Sequence, residues 1–328
     1  MAITQAGPAR TRPLAGSPWP AFIARRAVSF VVSLFVIVTG VYFMSRALGG
    51  DAVRASAGPF ADPAFIAQRR AELGLDESVF VQYVTYLRHI VTFDFGESIS
   101  LRRPAIDVVM EQLPATVQLG LLAFIVAVLI AVPLGMMVAA RSRRREGRAS
   151  AFHFGTGLLA SIPDFLIAIS LIAVFAITLR WLPPAGADSP DAIVLPVATV
   201  AIGLAATLSR IVYIETSRIL KEDYVRSARA MRLPWHILYG KHVLPNVLTA
   251  TITFAGLILA ALMGGMIITE TVFAWPGIGR LVTTSVQNLD YTLLQTVGLV
   301  IAVITLSITF VVDVLLALLD PRSLIVGS

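Results

Sequence analysis

Six apolar runs constrain this chain more than any other feature. They cover Ala27–Ala47, Val117–Ala140, Ala151–Leu179, Ile193–Ile214, Val247–Thr269 and Leu293–Leu319. Each is near or above the ~20 residues that a helix needs to cross a ~30 Å hydrocarbon core. The runs are continuous rather than alternating, which selects helices over barrel strands. Only 14% of the residues are charged, against about 25% in soluble domains. The expected fold class is therefore all-α: a polytopic helical membrane protein with six transmembrane helices.

Lys and Arg set the expected orientation. The tail before the first run holds Arg10, Arg12, Arg25 and Arg26. The loop after the second run holds Arg141, Arg143, Arg144, Arg145 and Arg148. The loop after the fourth holds Arg218, Lys221, Arg226, Arg229, Arg232 and Lys241. The alternate loops carry little positive charge, so both termini are expected in the cytosol. The net charge of +6 thus reads as a topology signal, and no nucleic-acid partner is implied. The tail 1–26 is rich in Pro, Ala and Gly. No small-residue cleavage site follows a short apolar core, so it does not read as a secretory leader.

The loop after the fourth run contains DYVRSARAMRLPWHILYGKHVLPN, residues 223–246. Tyr224 to Arg232 can form about two turns of helix, with Asp223 as its N-cap. Leu233-Pro234 ends the run, and Pro234 suits the start of a second helix over Trp235 to Leu244. Such a basic loop between spans reads either as a docking surface for a soluble partner or as a solvated topology determinant.

The segment 48–114, on the opposite side, is long and mixed. Asp62-Pro63 has the pattern of an N-cap followed by Pro at the first helical position, and Gly74 that of a stop. From Glu77 to Val91 the residues Val79, Tyr83, Tyr86, Leu87 and Ile90 recur at helical spacing, as expected for an amphipathic helix.

Few ionisable groups fall inside the runs. Asp164 follows Pro163, which removes a backbone donor and can bend a helix. It reads either as a polar group lining a pathway or as a local hydrogen-bond partner at the break. Asp313 lies near the inner end of its run and reads as structural. Met263-Gly264-Gly265-Met266 brings small residues that permit close packing or room at a constriction. Glu270 then leads into ETVFAWPGIGR, where Pro276, Gly277 and Gly279 force a turn beside Phe273 and Trp275. This segment is a candidate re-entrant or gate-forming loop.

Several chemistries are not supported. The chain has no Cys, hence no thiolate metal site or cysteine nucleophile. None of His89, His153, His236 and His242 forms H-E-x-x-H, and no G-x4-G-K-[ST] occurs, so neither catalytic, metal nor cofactor residues are expected. A self-contained secondary transporter would need more intramembrane carboxylates and an internal repeat.

The chain from about Ala24 resembles the inner-membrane permeases of dipeptide and oligopeptide ABC importers, a family that includes nickel permeases. The matching segments are GGDAV at 49–53, LGLDESVFVQY at 73–83, DFGESI at 94–99 and LPATVQLGLLA at 113–123. They continue with SIPDFLIAISL at 161–171, WLPPAG at 181–186, ETVFAWPGIGRL at 270–281, DY at 290–291 and LLDPR at 318–322. The basic loop resembles the family's coupling loop, E-A-A-x3-G-x9-I-x-L-P, and fits the peptide version D-Y-V-x-x-A-R-A-x-G-L. Arg232 stands where the family has Gly, which permits a tight turn.

The resemblance implies a type I ABC importer permease fold in the bacterial cytoplasmic membrane. It divides the chain into a cytosolic tail (1–26), a first helix (27–47), an extracytoplasmic segment (48–114), a core of five spans (115–320) containing the coupling loop (215–246), and a cytosolic C-terminus (321–328). It implies that Tyr224, Val225, Ala228, Arg229, Ala230, Arg232 and Leu233 couple the chain to ATPase subunits. Asp164, Met263, Gly264, Met266, Glu270, Phe273, Trp275, Pro276 and Gly277 are the candidates for pathway or gate. The implied partners are a homologous second permease, two ATPases that bind ATP and Mg, and an extracytoplasmic solute-binding protein. Peptides are the implied solute. Nickel chelates, haem, glutathione and other small solutes are the alternatives.

Overall fold

The computed structural model describes residues 19–57, 60–142 and 146–319. Most of the N-terminal tail with Arg10 and Arg12, the arginines 143–145 and the C-terminal part of the LLDPR block lie outside the described residues.

The first helix, α1, covers Trp19–Ala47. Three short helices follow: α2 (Ala52–Ala57), α3 (Pro63–Glu72) and α4 (Val79–Thr92). The long α5 covers Ala105–Ser142, and α6 covers Glu146–Ser161. Next come α7 (Asp164–Leu171), extended by a π-helical stretch over Ile172–Thr178, and α8 (Val194–Ile219). The basic loop forms α9 (Asp223–Ala230) and α10 (Trp235–Ile237), and a π stretch over Leu238–Val243 leads directly into α11 (Leu244–Gly265). Then α12 (Ile267–Val272), α13 (Ile278–Gln287) and α14 (Tyr291–Leu319) complete the described chain. The one β contact among the described residues is a bridge between Glu97 and Pro104.

Helices α1, α5, α8 and α14 are each long and apolar enough to cross a membrane, and two bent pairs bring the total to six if each pair is one span. At Pro163, where the sequence leads one to expect a bend, the break is sharp. The third run is broken at Ile162-Pro163, and its halves meet at 88°. Pro163 has ψ 139° and so leaves the helix. Its missing N–H and its ring account for the break, and they place Asp164 at the first position of α7 rather than within a helix. The second run begins earlier than expected. Helix α5 starts at Ala105 and passes through Pro114, so the boundary set at 114/115 falls inside a helix. Likewise α1 starts before Arg25 and Arg26, which lie in its first turns.

The core is built on close helix approach. Ala123, Ala127, Ala131, Gly135 and Ala139 recur every fourth residue on α5, and all are buried. This stripe faces Ala201, Leu204, Ala205 and Leu208 of α8. A Cβ on Gly135 would sit 2.6 Å from the Ser209 carbonyl oxygen. Only glycine lets the two backbones come this near, the geometry that small residues provide between membrane helices. Helices α1 and α14 pair along their length. Their contact includes an ion pair, Arg26 Nη1 to Asp313 Oδ2, at 2.6 Å. The structural reading of Asp313 thus acquires a named partner.

The short helices end as the residue pattern anticipates. Asp62 accepts from the Ala64 N–H at 3.0 Å at the start of α3, and Gly74 takes φ 62° just after its end. Ser78 caps α4 by accepting from Val81 N at 3.4 Å. The turn before α2 is held by Asp51, which accepts from the N–H groups of Val53 and Arg54 and pairs with Arg70 at 2.9 Å. Burial opposes the Asp51 charge, yet the Arg54 N–H, the Arg70 guanidinium and the Val53 N–H together hold its carboxyl below the usual range.

Candidate functional site

Two regions at opposite ends of the bundle carry the candidate residues. The first is α9. Its N-cap is Glu222, one residue earlier than the expected cap Asp223, which takes the first helical position. An acidic first turn suits a helix N-terminus in either position. The helix stops at Met231, and Arg232 then takes φ 52°. This left-handed turn lets the Leu233 N–H reach back to the Ala228 carbonyl at 3.4 Å. An L-residue is strained there by about 1–2 kcal/mol, and glycine is not. A turn of this kind favours Gly, and the chain makes it with Arg232.

Helix α9 has two unlike faces. Val225 and Ala228 are buried among Val212, Ile219 and Leu220 at the end of α8 and Leu238, Val243 and Val247 at the start of α11. Leu233 packs against the same cluster. The other face is open. Tyr224 is 44% exposed, Met231 69% and Trp235 76%, and Arg226, Ala230 and Arg232 lie beside them at the surface. Arg229 is half-buried between the two faces. Burial and the nearby Glu222 carboxylate push the Tyr224 phenol up, so it stays a neutral hydrogen-bonding group. An exposed aromatic, thioether and arginine cluster has the composition of a protein-contact patch, because such side chains supply contact area and directional charge.

The second region is the segment 270–280. Glu270 is fully buried. Its Oε1 accepts from the Thr116 hydroxyl at 2.7 Å, and its Oε2 from the Arg280 N–H at 3.1 Å. The carboxylate thus sits on the N-terminal N–H groups of α13, where an anion is favoured. The Thr116 oxygen in turn accepts from the Ile278 N–H at 2.8 Å, so Glu270, Thr116 and α13 close a ring of hydrogen bonds. Trp275 is buried and donates through Nε1 to the Ala115 carbonyl at 3.0 Å. Phe273 is buried against Ala168 and Leu195, and its carbonyl accepts from Gly186 N at 2.8 Å. Gly277 has no room for a side chain: a Cβ there would lie 2.3 Å from the Glu270 carboxyl carbon. Pro276 is half-buried at the turn.

Met263 and Met266 are buried in one cluster with Leu119, Ala123, Val200 and Trp275. The Met263 Cε would lie 2.3 Å from a Cβ on Gly120. Gly264 faces Ile301 of α14 at ordinary contact distance. Met263, Met266, Glu270, Trp275 and Gly277 therefore form one packed knot joining α5, α11, α12 and α13, with Phe273 packed beside it against α7 and α8. Asp164 stands apart from it. Its side chain is exposed at the start of α7, near Gly203 of α8.

Reading the sequence missed two residues that hold the same end together. Thr116 is the hub of the Glu270 ring, and its neighbours are distant in sequence. Asp290 is fully buried. Its Oδ2 accepts from the Ser98 hydroxyl at 2.6 Å, the Ser100 N–H at 2.9 Å and the Ser100 hydroxyl at 2.7 Å, while its Oδ1 caps α14 through the Leu293 N–H at 3.0 Å. The Asp-Tyr pair was a usable signal. Tyr291 next to it donates to the Gly49 carbonyl at 2.7 Å, fastening α14 to the end of α1.

Comparison with known proteins identifies the family of the chain. Residues 131–324 match the family described as binding-protein-dependent transport system inner membrane component, and residues 20–120 match the N-terminal membrane component of such systems. The glutathione transport system permease protein GsiC of Salmonella choleraesuis (strain SC-B67) is 34% identical over 302 residues, covering 92% of this chain and 97% of that protein. GsiC of Escherichia coli (strain K12) is 35% identical over the same shares. A membrane chain from the MetNI methionine ABC transporter, solved in inward-facing conformations, shares the fold, with a TM-score of 0.55 at 19% identity over 66% of this chain and 98% of that one. The chain belongs to the binding-protein-dependent family of inner-membrane transport components, and it is a multi-pass permease subunit of an ABC importer.

Proposed function

We propose that this permease forms half of a pathway for short peptides and that ATPase subunits drive it through α9. The observation that carries the reading is the two-faced α9. Its buried Val225 and Ala228 bolt it to α8 and α11, while Tyr224 and Arg226, with Met231, Arg232 and Trp235 just beyond its end, face outward. Force applied to the outer face reaches the spans only if the inner face is rigidly seated, and this one is.

In this reading the α9 end lies in the cytosol, with both termini, as the arginine distribution requires. Two ATPases, with their ATP and Mg, engage this chain and a homologous second permease, and this chain needs no cofactor of its own. A solute-binding protein delivers the solute on the opposite side. Closure of the ATPase pair rotates the permeases between outward and inward access. Such coupling requires α9 to contact the closed and open ATPase states unequally. Of the pathway candidates, Asp164 is the exposed one, whereas the knot around Glu270 holds the far ends of the spans and would move as one body. Glutathione is the second reading of the solute, favoured by the GsiC relatives, which are glutathione transport permeases.

The test is charge reversal on α9. Arg229→Glu is expected to abolish solute-stimulated ATPase activity in the reconstituted complex while the subunits still assemble and insert. Unchanged stimulation would refute the proposed role of α9. Competition by glutathione and by unrelated dipeptides for uptake then separates the two solute readings.

A further inference from the structure

Helix α4 carries a surface that the transport reading leaves unexplained. Its packed side is clear. Tyr83 hydrogen-bonds Thr39 at 2.8 Å, the Val79 carbonyl accepts from the Tyr42 hydroxyl at 3.1 Å, and Tyr86 stacks on Tyr42 with centroids 5.3 Å apart. All three contacts fall on the last two to three turns of α1. A second side is apolar and bare. Phe80, Val84, Leu87 and Val91 follow the i, i+4, i+7, i+11 spacing of a single helical face. Phe80 is 74% exposed, Val84 49% and Val91 78%. The polar residues Thr85, Arg88, His89 and Thr92 lie round the remaining circumference.

The depth of α4 follows from α1. Arg26, paired with Asp313, and Arg46, hydrogen-bonded to Gln82, are about 20 residues apart on one straight helix. At 1.5 Å per residue they are about 30 Å apart, the thickness of the hydrocarbon core. Arg46 therefore marks the far boundary of the core, and Thr39 and Tyr42 lie within about 10 Å below it. The tyrosines Tyr42, Tyr83, Tyr86 and Tyr291 gather at the same level, where amphipathic rings are favoured. Helix α4 is thus at membrane-interface depth. The bare stripe is also continuous with membrane-facing surface: Phe43, on the exposed side of α1, lies 5.5 Å from the Tyr83 ring, and Val28, Val32, Phe35 and Val36 continue that side down α1.

We infer that α4 is an interfacial helix whose Phe80–Val84–Leu87–Val91 face is seated in the lipid of the adjacent leaflet, anchoring the segment between α1 and α5 to the bilayer. A helix of this kind buries its apolar face about 5–10 Å into the headgroup and acyl boundary. The anchor would hold the polar side of α4 and the hairpin at 96–104 at a constant height while the core helices move.

The absence of Cys makes the test direct. Single variants Phe80→Cys, Val84→Cys and Val91→Cys, with Thr85→Cys and His89→Cys as polar-face controls, are spin-labelled in the full chain. They are measured in bilayers of phosphatidylethanolamine and phosphatidylglycerol, with and without the assembled complex. The expected result is a positive depth parameter at the three stripe positions, oxygen relaxing the label more than a water-soluble nickel chelate, and the opposite sign at both controls. Equal or greater chelate access on the stripe would overturn the inference. So would stripe positions shielded from both reagents in the assembled complex, since a protein partner would then cover the face. Because this placement does not involve α9, its failure would leave the transport reading intact, and loss of coupling in Arg229→Glu would leave the lipid seat intact.

Discussion

The knot around Glu270 and helix α9 solve opposite problems. Around the knot, the carboxylates are withdrawn from solvent and partnered: Glu270 takes hydrogen bonds from Thr116 and the α13 backbone, and Asp290 takes four from Ser98, Ser100 and Leu293. A buried carboxylate left without such donors is strongly destabilising, so each donor is specified by the fold. On α9 the polar groups are exposed and loosely paired. Its ion pair, Arg226 with Asp223, is long at 3.4 Å and solvent-exposed, the kind that contributes little to stability. Only Val225 and Ala228 tie α9 to the bundle tightly. One region spends its polar chemistry on rigidity and the other presents it to a partner. Changes in the first should therefore act on folding, and changes in the second on coupling.

The largest expected effect tests the rigid side. Gly277→Ala places a methyl 2.3 Å from the buried Glu270 carboxyl carbon, which the Thr116 and Arg280 hydrogen bonds hold in place. Overpacking of this kind costs about 1–3 kcal/mol, and pushing the carboxylate off its Thr116 and Arg280 donors adds to that. Folded yield in detergent and thermal stability should fall sharply, and near wild-type values would show that the knot can relax. Next, Asp290→Ala removes the α14 cap and orphans the Ser98 and Ser100 donors. It should cost about 3 kcal/mol, with a matching loss of protection from proteolysis in the hairpin at 96–104. A variant whose loss is confined to ATPase stimulation would blur the contrast between the two regions.

The smallest effect is on the α9 side. Arg232→Gly relieves the left-handed strain at φ 52° but adds the backbone entropy of glycine. The two terms are each about 1 kcal/mol, so stability should change by no more than about 1 kcal/mol and ATPase stimulation should persist. Lost coupling with intact folding would show instead that the Arg232 side chain itself grips the partner.

What the sequence made legible was local. Apolar length announced the spans, and Asp62-Pro63, Gly74 and Leu233-Pro234 marked helix ends, because caps and breakers act through neighbouring backbone. The Arg232 turn could be suspected from the Gly it replaces. Long-range polar partners were not legible. Nothing near Asp313 names Arg26, and nothing near Asp290 names Ser98 or Ser100, since tertiary contact alone brings them together. Pro163 was visible, but a 88° break rather than a bend depends on what the two halves pack against. The alanine and glycine stripe on α5 was present at every fourth residue, yet periodicity is masked where the surrounding residues are all apolar. The candidate gate residues were found as a block. Their burial in a knot, with Asp164 outside it, emerged only from the packing.

The central claim is that this chain is moved by nucleotide-hydrolysing partners gripping the open face of α9. Ala230 is exposed on that face, whereas Ala228 points into the bundle. A cross-linker on Ala230→Cys, the one thiol in the permease, tests the claim most directly. The account predicts that it captures an ATPase subunit in the assembled transporter, with a yield that changes between ATP-bound and nucleotide-free states. An assembled, active transporter in which Ala230→Cys never captures that subunit in either state would contradict it.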